Sequence, residues 1–205
     1  MKDSIADEQQ LNHFRESLKK FQIFTDEEWT LFSAAISFKM LKKKEILVHT
    51  GDVYQAMAFV HEGAVRFFTE RGGEITTIYF SFKGELITSY NSFITGNPSS
   101  IGLEAIEKTF VLVLTQQSLA VLAVNPVMAF KIEQMRRRIA ENYILCYEER
   151  IGSFLFQNPE ERYLALLNSG GAIFQKIPQH YIADYLGVTA VSLSRIRNRS
   201  LGKSL

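Results

Sequence analysis

Between Pro126 and Gly152 the chain contains neither proline nor glycine, and Asn125-Pro126 supplies an N-cap and a first-turn proline at the head of that stretch. Together these predict one helix of roughly 26 residues, about 40 Å long. A rod of that length outruns the needs of a single small domain, so it divides the 205 residues into a unit before it and a unit after it. We place those units at residues 1–124 and 153–205, with the helix at 125–152. Along the rod Met128, Ile132, Met135, Ile139, then Asn142 or Tyr143, and Cys146 follow the alternating four and three spacing of a two-stranded seam. This favours a second copy of the chain as partner. Packing of the stripe on the preceding unit alone stays open, because the seam holds for only about three heptads. Arg136-Arg137-Arg138 within it reads as a solvated helix face.

Ahead of the rod the hydrophobic period changes once. Residues 11–36 read as helical, with Leu11, Phe14, Leu18 and Phe21 at three and four residue intervals and a capping box at Thr25-Asp-Glu-Glu28 before a second short helix. From Lys39 to Thr115 the period falls to about two. Short apolar runs there are separated by Gly51-Asp52, Gly63, Arg71-Gly72-Gly73 and Lys83-Gly84. Short strands broken by glycine turns at near-regular spacing predict a compact antiparallel roll or barrel. The fold class is therefore α+β.

Beyond the rod, Gly152 to Asn158 reads as a joint, and Asn158-Pro159-Glu160-Glu161 opens a new helix with an apolar side of Tyr163, Leu164, Leu166 and Leu167, ended by Asn168-Ser-Gly-Gly171. The segment from Ile177 to Ser200 then places Ile182, Ala183, Leu186, Val188, Leu193 and Ile196 as apolar positions that fit two short helices packed across a turn. Gly187 supplies the left-handed turn residue, Thr189 can cap the second helix, and Ala183 is small enough for a close crossing. This is a helix-turn-helix pattern. With Thr189, Leu193, Ile196 and Ser200 inward, Val191, Ser192, Arg195, Asn198 and Arg199 turn outward. Arg195 suits a bidentate pair with guanine, Ser192 and Asn198 suit bases or phosphate, and Arg199 suits phosphate. Gln179, Thr189 and Ala190 complete the expected DNA-facing set.

Composition narrows the remaining classes. The 46% hydrophobic and 22% charged fractions are those of a globular chain, and no apolar run reaches the roughly 20 residues of a membrane span. The polar opening MKDSIADEQQ lacks the order of a secretory signal, so a cytoplasmic chain is expected, with no membrane partner. Cys146 is the sole cysteine, which excludes an internal disulfide, a Cys-based zinc site and a four-thiolate iron–sulfur cluster; it reads as a small buried hydrophobe. No phosphate loop, nucleophile elbow or paired-acid signature occurs, so no catalytic residue is assigned and no enzyme is expected. The net charge is only +1, yet from Lys176 onward five cations, Lys176, Arg195, Arg197, Arg199 and Lys203, face the single anion Asp184. Basicity gathered at one end points to a local anionic partner, with a merely solvated basic tail as the alternative.

The order of these features resembles the Crp/Fnr superfamily of bacterial transcription regulators across essentially the whole chain from about Leu11. Three passages carry the likeness. They are Gly51-Asp52, His61-Glu62-Gly63 and Gly84-Glu85-Leu86 in the roll, Asn125-Pro126 at the rod, and Ile182-Ala183, Leu186-Gly187-Val188-Thr189 and Leu193-Ser194-Arg195-Ile196 in the helix-turn-helix. The resemblance implies a cyclic-nucleotide-binding-like jelly-roll sensor, a dimerisation helix and a DNA-binding domain, with RNA polymerase as a further partner. It makes Arg195 the base-reading arginine and Ala190, Val191 and Ser192 its neighbours. It also implies an effector pocket at Gly84, Glu85, Leu86, Ser99, Ser100, Asn142 and Tyr143. The chain departs from the pattern there. Ser99-Ser100 stand where nucleotide binders carry an arginine for the phosphate, and Asn142-Tyr143 stand near the hydroxyl side chains that contact adenine, so cyclic AMP is not expected as the effector. Ala190-Val191 replace polar reading residues and suit thymine methyl groups, and only Ser200 to Leu205 follow the second helix, too few for a β-hairpin wing.

Two other functions compete. A regulatory module could act through its C-terminal hairpin on a protein partner rather than on DNA, and would then show no salt-sensitive binding of duplex. A cupin-like metalloenzyme needs converging histidines, whereas His49 and His61 are twelve apart with no His-x-His pair; no metal or haem is assigned.

Overall fold

A computed structural model describes residues 8–170 and 177–202. Residues 1–7, Gly171, Lys176, Lys203 and the Ser200 side chain, all weighed above, lie outside the described residues. Helices α1 (Glu8–Leu18) and α2 (Asp26–Ser33) precede strands β1 (Ser37–Leu41), β2 (Ile46–Val48), β3 (Ala56–Glu62), β4 (Ala64–Arg71), β5 (Glu74–Phe82) and β6 (Leu86–Ile87). After α3 (Tyr90–Thr95) come β7 (Gly102–Ala105), β8 (Thr109–Thr115), α4 (Gln116–Val124), α5 (Ala129–Phe156), α6 (Pro159–Gly170), α7 (Gln179–Leu186) and α8 (Ala190–Gly202). The strands form two four-stranded antiparallel sheets, ordered β1-β8-β3-β6 and β2-β7-β4-β5, a compact antiparallel roll as the period-two runs predict and a jelly roll as the resemblance implies.

Side chains alternate across a strand, and here both faces of the central strands are covered. In β3, Ala58 and Val60 point between the sheets with Val65, Phe67, Leu103 and Val111, while Met57 and Phe59 point outward under the helices. In β4 the same division sends Val65 and Phe67 inward and Ala64 outward into a third core with residues of α6, α7 and α8. The five consecutive buried residues that open β3 and β4 follow from this double coverage.

Over the first sheet lie α1 and α2, positioned by the expected capping box: Glu28 N donates to Thr25 Oγ1 at 3.2 Å and Thr25 N to Glu28 Oε2 at 2.7 Å. Phe14 meets Phe59 with ring centroids 4.6 Å apart, and Phe24 stacks on Phe32 at 4.7 Å.

The long helix differs from its expected form in three ways. It starts at Ala129 and runs 28 residues to Phe156, about 42 Å, because Asn125 and Pro126 open a turn rather than the helix itself. It also passes straight through Gly152, whose cost of about 1 kcal/mol in a helix interior the rest of a long helix absorbs. The expected seam is corrected as well. Met128, Ile132, Met135 and Ile139 are 0–7% exposed and belong to the core beneath α1 and α2, so they have no surface left for a second copy. Their burial follows from anchors beside the stripe: Arg138 donates to the Phe21 carbonyl at 3.0 Å, and Lys131 lies 3.3 Å from Glu28. Arg138 is thereby no solvated residue, unlike Arg136 and Arg137, which pair with Glu133 and Glu141 on the exposed side. Replacing Ile132 by alanine is expected to lower unfolding stability by about 2–5 kcal/mol, read by urea denaturation, because its neighbours are locked in the roll and cannot close the cavity.

Candidate functional site

The two C-terminal helices take their geometry from one residue. Gly187 ends α7 in the left-handed region at φ 68°, and Val188 N returns to the Ala183 carbonyl at 3.0 Å, a C-cap that turns the chain sharply. A Cβ at Gly187 would sit 2.9 Å from Phe154 Cε1, so the position excludes side chains on both counts. Thr189 then accepts from Ser192 N at 3.2 Å and caps α8. Ile182, Ala183, Leu186, Leu193 and Ile196 are buried between α7, α8 and α6, whose Tyr163 and Leu166 join them; Leu164 and Leu167 are exposed instead. Gln179, Thr189, Ala190, Val191, Arg195, Asn198 and Arg199 are exposed and Ser192 half-buried, so all eight residues read as DNA-facing reach solvent. Arg195 and Asn198 hold no partner among the described residues, whereas Arg199 lies 3.7 Å from Glu160.

Helix α7 is seated on the outer face of the second sheet. Arg66 of β4 forms a bidentate pair with Glu104 of β7, Nε to Oε1 at 3.2 Å and Nη2 to Oε2 at 2.9 Å, and donates from Nη1 to Thr77 Oγ1 of β5 at 3.0 Å. Tyr181 of α7 lays its ring 3.9 Å from the Arg66 guanidinium and donates its hydroxyl to Glu104 at 3.4 Å. Asp184 accepts from Thr77 N at 3.3 Å, and Tyr185 packs against Phe80, with ring centroids 5.4 Å apart.

Beside that seat a cavity of about 480 Å³ lies between β5, β6, α5 and the Asp184 edge of α7. Its walls are chiefly apolar and aromatic, including Phe67, Tyr79, Tyr90, Tyr143 and Phe154. Burial pushes the Tyr79 and Tyr143 hydroxyls far above the usual phenol range, so both stay neutral. Cys146 is half-buried on the cavity wall rather than inside a core, and burial raises its thiol pKa. Of the expected effector residues, Glu85, Leu86, Asn142 and Tyr143 line this space and Gly84, Ser99 and Ser100 do not. Ser99 is buried with its hydroxyl joined to Ser89 Oγ at 2.7 Å and to the Ile101 carbonyl at 2.6 Å, and Ser100 is exposed. His49 is exposed and His61 meets His13 edge to face at 5.3 Å; no group of three metal-ligating side chains occurs among the described residues.

Residues 38–125 match the family model of the cyclic nucleotide-binding domain. FixK2 from Bradyrhizobium japonicum superposes with a TM-score of 0.67 at 20% identity, over 82% of this chain and 86% of that one. The chain shares this fold. A cyclic nucleotide-binding domain from Methylobacillus flagellatus KT superposes at TM-score 0.62 and 21% identity over 69% of this chain and 80% of its own. So does CLP of Xanthomonas campestris, described as a c-di-GMP responsive global regulator, at 0.65 and 14% over 86% and 91%. No curated protein sequence matches. No helix among the described residues is long and apolar enough to cross a membrane.

Within this shared fold, sequence reasoning missed Arg66, Glu104, Tyr181 and Arg150. The one available signal was Arg66 within the apolar run from Ala64 to Phe68, since a charge amid such a run must find a partner. Arg66→Leu leaves Glu104 buried and uncompensated, and is expected to cost about 3–5 kcal/mol in urea denaturation, with Glu104→Leu in the same chain restoring most of it.

Proposed function

We propose that this chain is a dimeric, DNA-binding transcription regulator of the Crp/Fnr type, not an enzyme, whose small-molecule effector is not a cyclic nucleotide. One observation carries the reading: α8 spends Leu193 and Ile196 on a core while its opposite face presents Arg195 and Asn198 to solvent without partners. A guanidinium held rigidly on an exposed helix face, five N–H donors unspent, is suited to the O6 and N7 acceptors of guanine in the major groove. Exposed Val191 and Ala190 beside it offer methyl contacts to thymine.

For the dimer, a different face of α5 supports the reading. Arg137, Glu141, Ile144, Glu148, Ile151 and Leu155 are all exposed and recur at intervals of four and three along the side opposite the buried stripe. Ile144, Ile151 and Leu155 are 55–70% exposed, more than isolated surface apolar residues explain when they fall on one row. Two such rows fit the a and d positions of a left-handed pair, with like-charged Glu141 and Glu148 limiting its strength. Pairing would carry two α8 helices, whose half-sites lie one DNA turn apart, roughly 34 Å.

Against a cyclic nucleotide stands the chemistry of the pocket. The serine at the phosphate-arginine position has its hydroxyl spent on Ser89 and Ile101, which leaves no charge there to neutralise a phosphate.

Enrichment of bound duplexes from a random pool at stated salt tests the reading, and association must weaken steeply with salt if phosphates contribute. Arg195→Ala is then expected to lose about 1–3 kcal/mol of discrimination at one base position, and an equal loss on all duplexes would reassign Arg195 to the backbone. Ile151→Glu is expected to shift sedimentation from dimer to monomer while the thermal unfolding of the protomer changes little.

A further inference from the structure

Arg150 lies where α5 passes under α7, and it lines both the 480 Å³ cavity and a neighbouring one of about 320 Å³. Its guanidinium is sandwiched against aromatic rings, 3.7 Å from the Tyr185 ring centroid and 4.4 Å from that of Phe154, and donates to the Tyr185 carbonyl. No carboxylate lies within ion-pair distance of it among the described residues. A guanidinium carries five N–H donors, and one carbonyl with two ring faces leaves most of them without an acceptor. Arg162 stands on the same ring, 4.7 Å from the Phe154 centroid, and is engaged with the carbonyls of Leu186, Gln157 and Ser153. Two half-buried cations share one ring with no anion between them. Burial, and the Arg162 charge after it, hold the Arg150 pKa below its usual value.

The two cavities share the walls Tyr79, Glu85, Cys146 and Arg150 but differ in character. The larger is walled chiefly by aromatic and aliphatic side chains, with Lys20 and several hydroxyl residues among them, and the smaller by Arg150, Arg162, Ser153, Gln157 and Glu149 among others. An apolar chamber opening beside an unmatched guanidinium suits a ligand with one anionic end and an apolar body. We propose that the effector is an amphipathic monocarboxylate whose carboxylate pairs with Arg150 and whose apolar body fills the chamber between β5 and α5. This assignment rests on the regulator reading for its biological sense and not for its chemistry. Glu85 and Asp184 also border the chamber; each accepts a backbone N–H, from Phe82 and Thr77 respectively. With Glu149 they face the cations Lys20, Arg150 and Arg162 around the two cavities, three against three, so a ligand of single charge disturbs that balance less than a doubly charged phosphoryl group. Because Arg150 also holds the carbonyl at the C-terminal end of α7, a carboxylate competing for its donors acts directly beside the Gly187 turn.

Calorimetry on the full-length protein without DNA tests this with decanoate and 2-naphthylacetate, each against its primary amide, and with cyclic AMP as a third arm. At neutral pH at least one acid is expected to bind on the order of tenfold more tightly than its amide, a charge-assisted hydrogen bond being worth that much. Arg150→Gln is expected to erase the preference for acid over amide, and Arg150→Lys to retain part of it. Equal binding of acid and amide by the unaltered protein, an undiminished preference in Arg150→Gln, or tight binding of cyclic AMP alone would each overturn the proposal. Should Arg150→Gln fail to fold, the acid and amide comparison on the unaltered protein decides alone. A protein that binds an acid but no duplex keeps this assignment and loses the regulator reading, and one that binds duplex but prefers neither acid does the reverse.

Discussion

The arrangement hangs on the buried Arg66–Glu104 pair and the tyrosine laid across it. A guanidinium and a carboxylate taken out of water on the outside of a sheet are costly unless every remaining donor finds an acceptor and the pair is covered. Thr77 takes one Arg66 Nη1 donor beyond the two spent on Glu104, and Tyr181 covers the guanidinium. Because Tyr181 stands on α7, the cost of the pair is offset only when that helix is docked. The position of α8 follows through Gly187, and so does the roof of the cavity, which Asp184 borders.

Local signals in the sequence proved the most legible. The left-handed glycine, the hydroxyl cap at Thr189, the capping box at Thr25 and the change of period after Phe38 each depend on neighbours within a few residues, and each appears in the coordinates where it was expected. What a stripe packs against is a different kind of fact. The row from Met128 to Ile139 and the row from Ile144 to Leu155 lie on opposite sides of one helix, and spacing alone does not say which meets the roll. The more apolar row went to the larger apolar surface, beneath Phe14, Trp29 and Phe59.

The cavity was legible only in part for a related reason. Glu85, Leu86, Asn142 and Tyr143 were found through resemblance to relatives that share the fold. Phe154 owes its place to the continuation of α5 past Gly152, where the sequence suggested an end. With the helix four residues longer, the ring of Phe154 reaches Gly187 and the two arginines that flank it. A single glycine was read as punctuation where its modest cost was outweighed by the packing of the turns on either side.

Ala64, Phe80 and Ile106 of the roll lie in the same core as Leu186, Leu193 and Ile196. The roll and the C-terminal helices therefore do not behave as beads on a string. Cut away from the roll, the C-terminal helices would bare an oily underside, and transplanted onto a foreign roll they would find no matching bed. Any change of state that moves α8 has to break part of a hydrophobic interior, which makes such motion a switch between seats and not a drift.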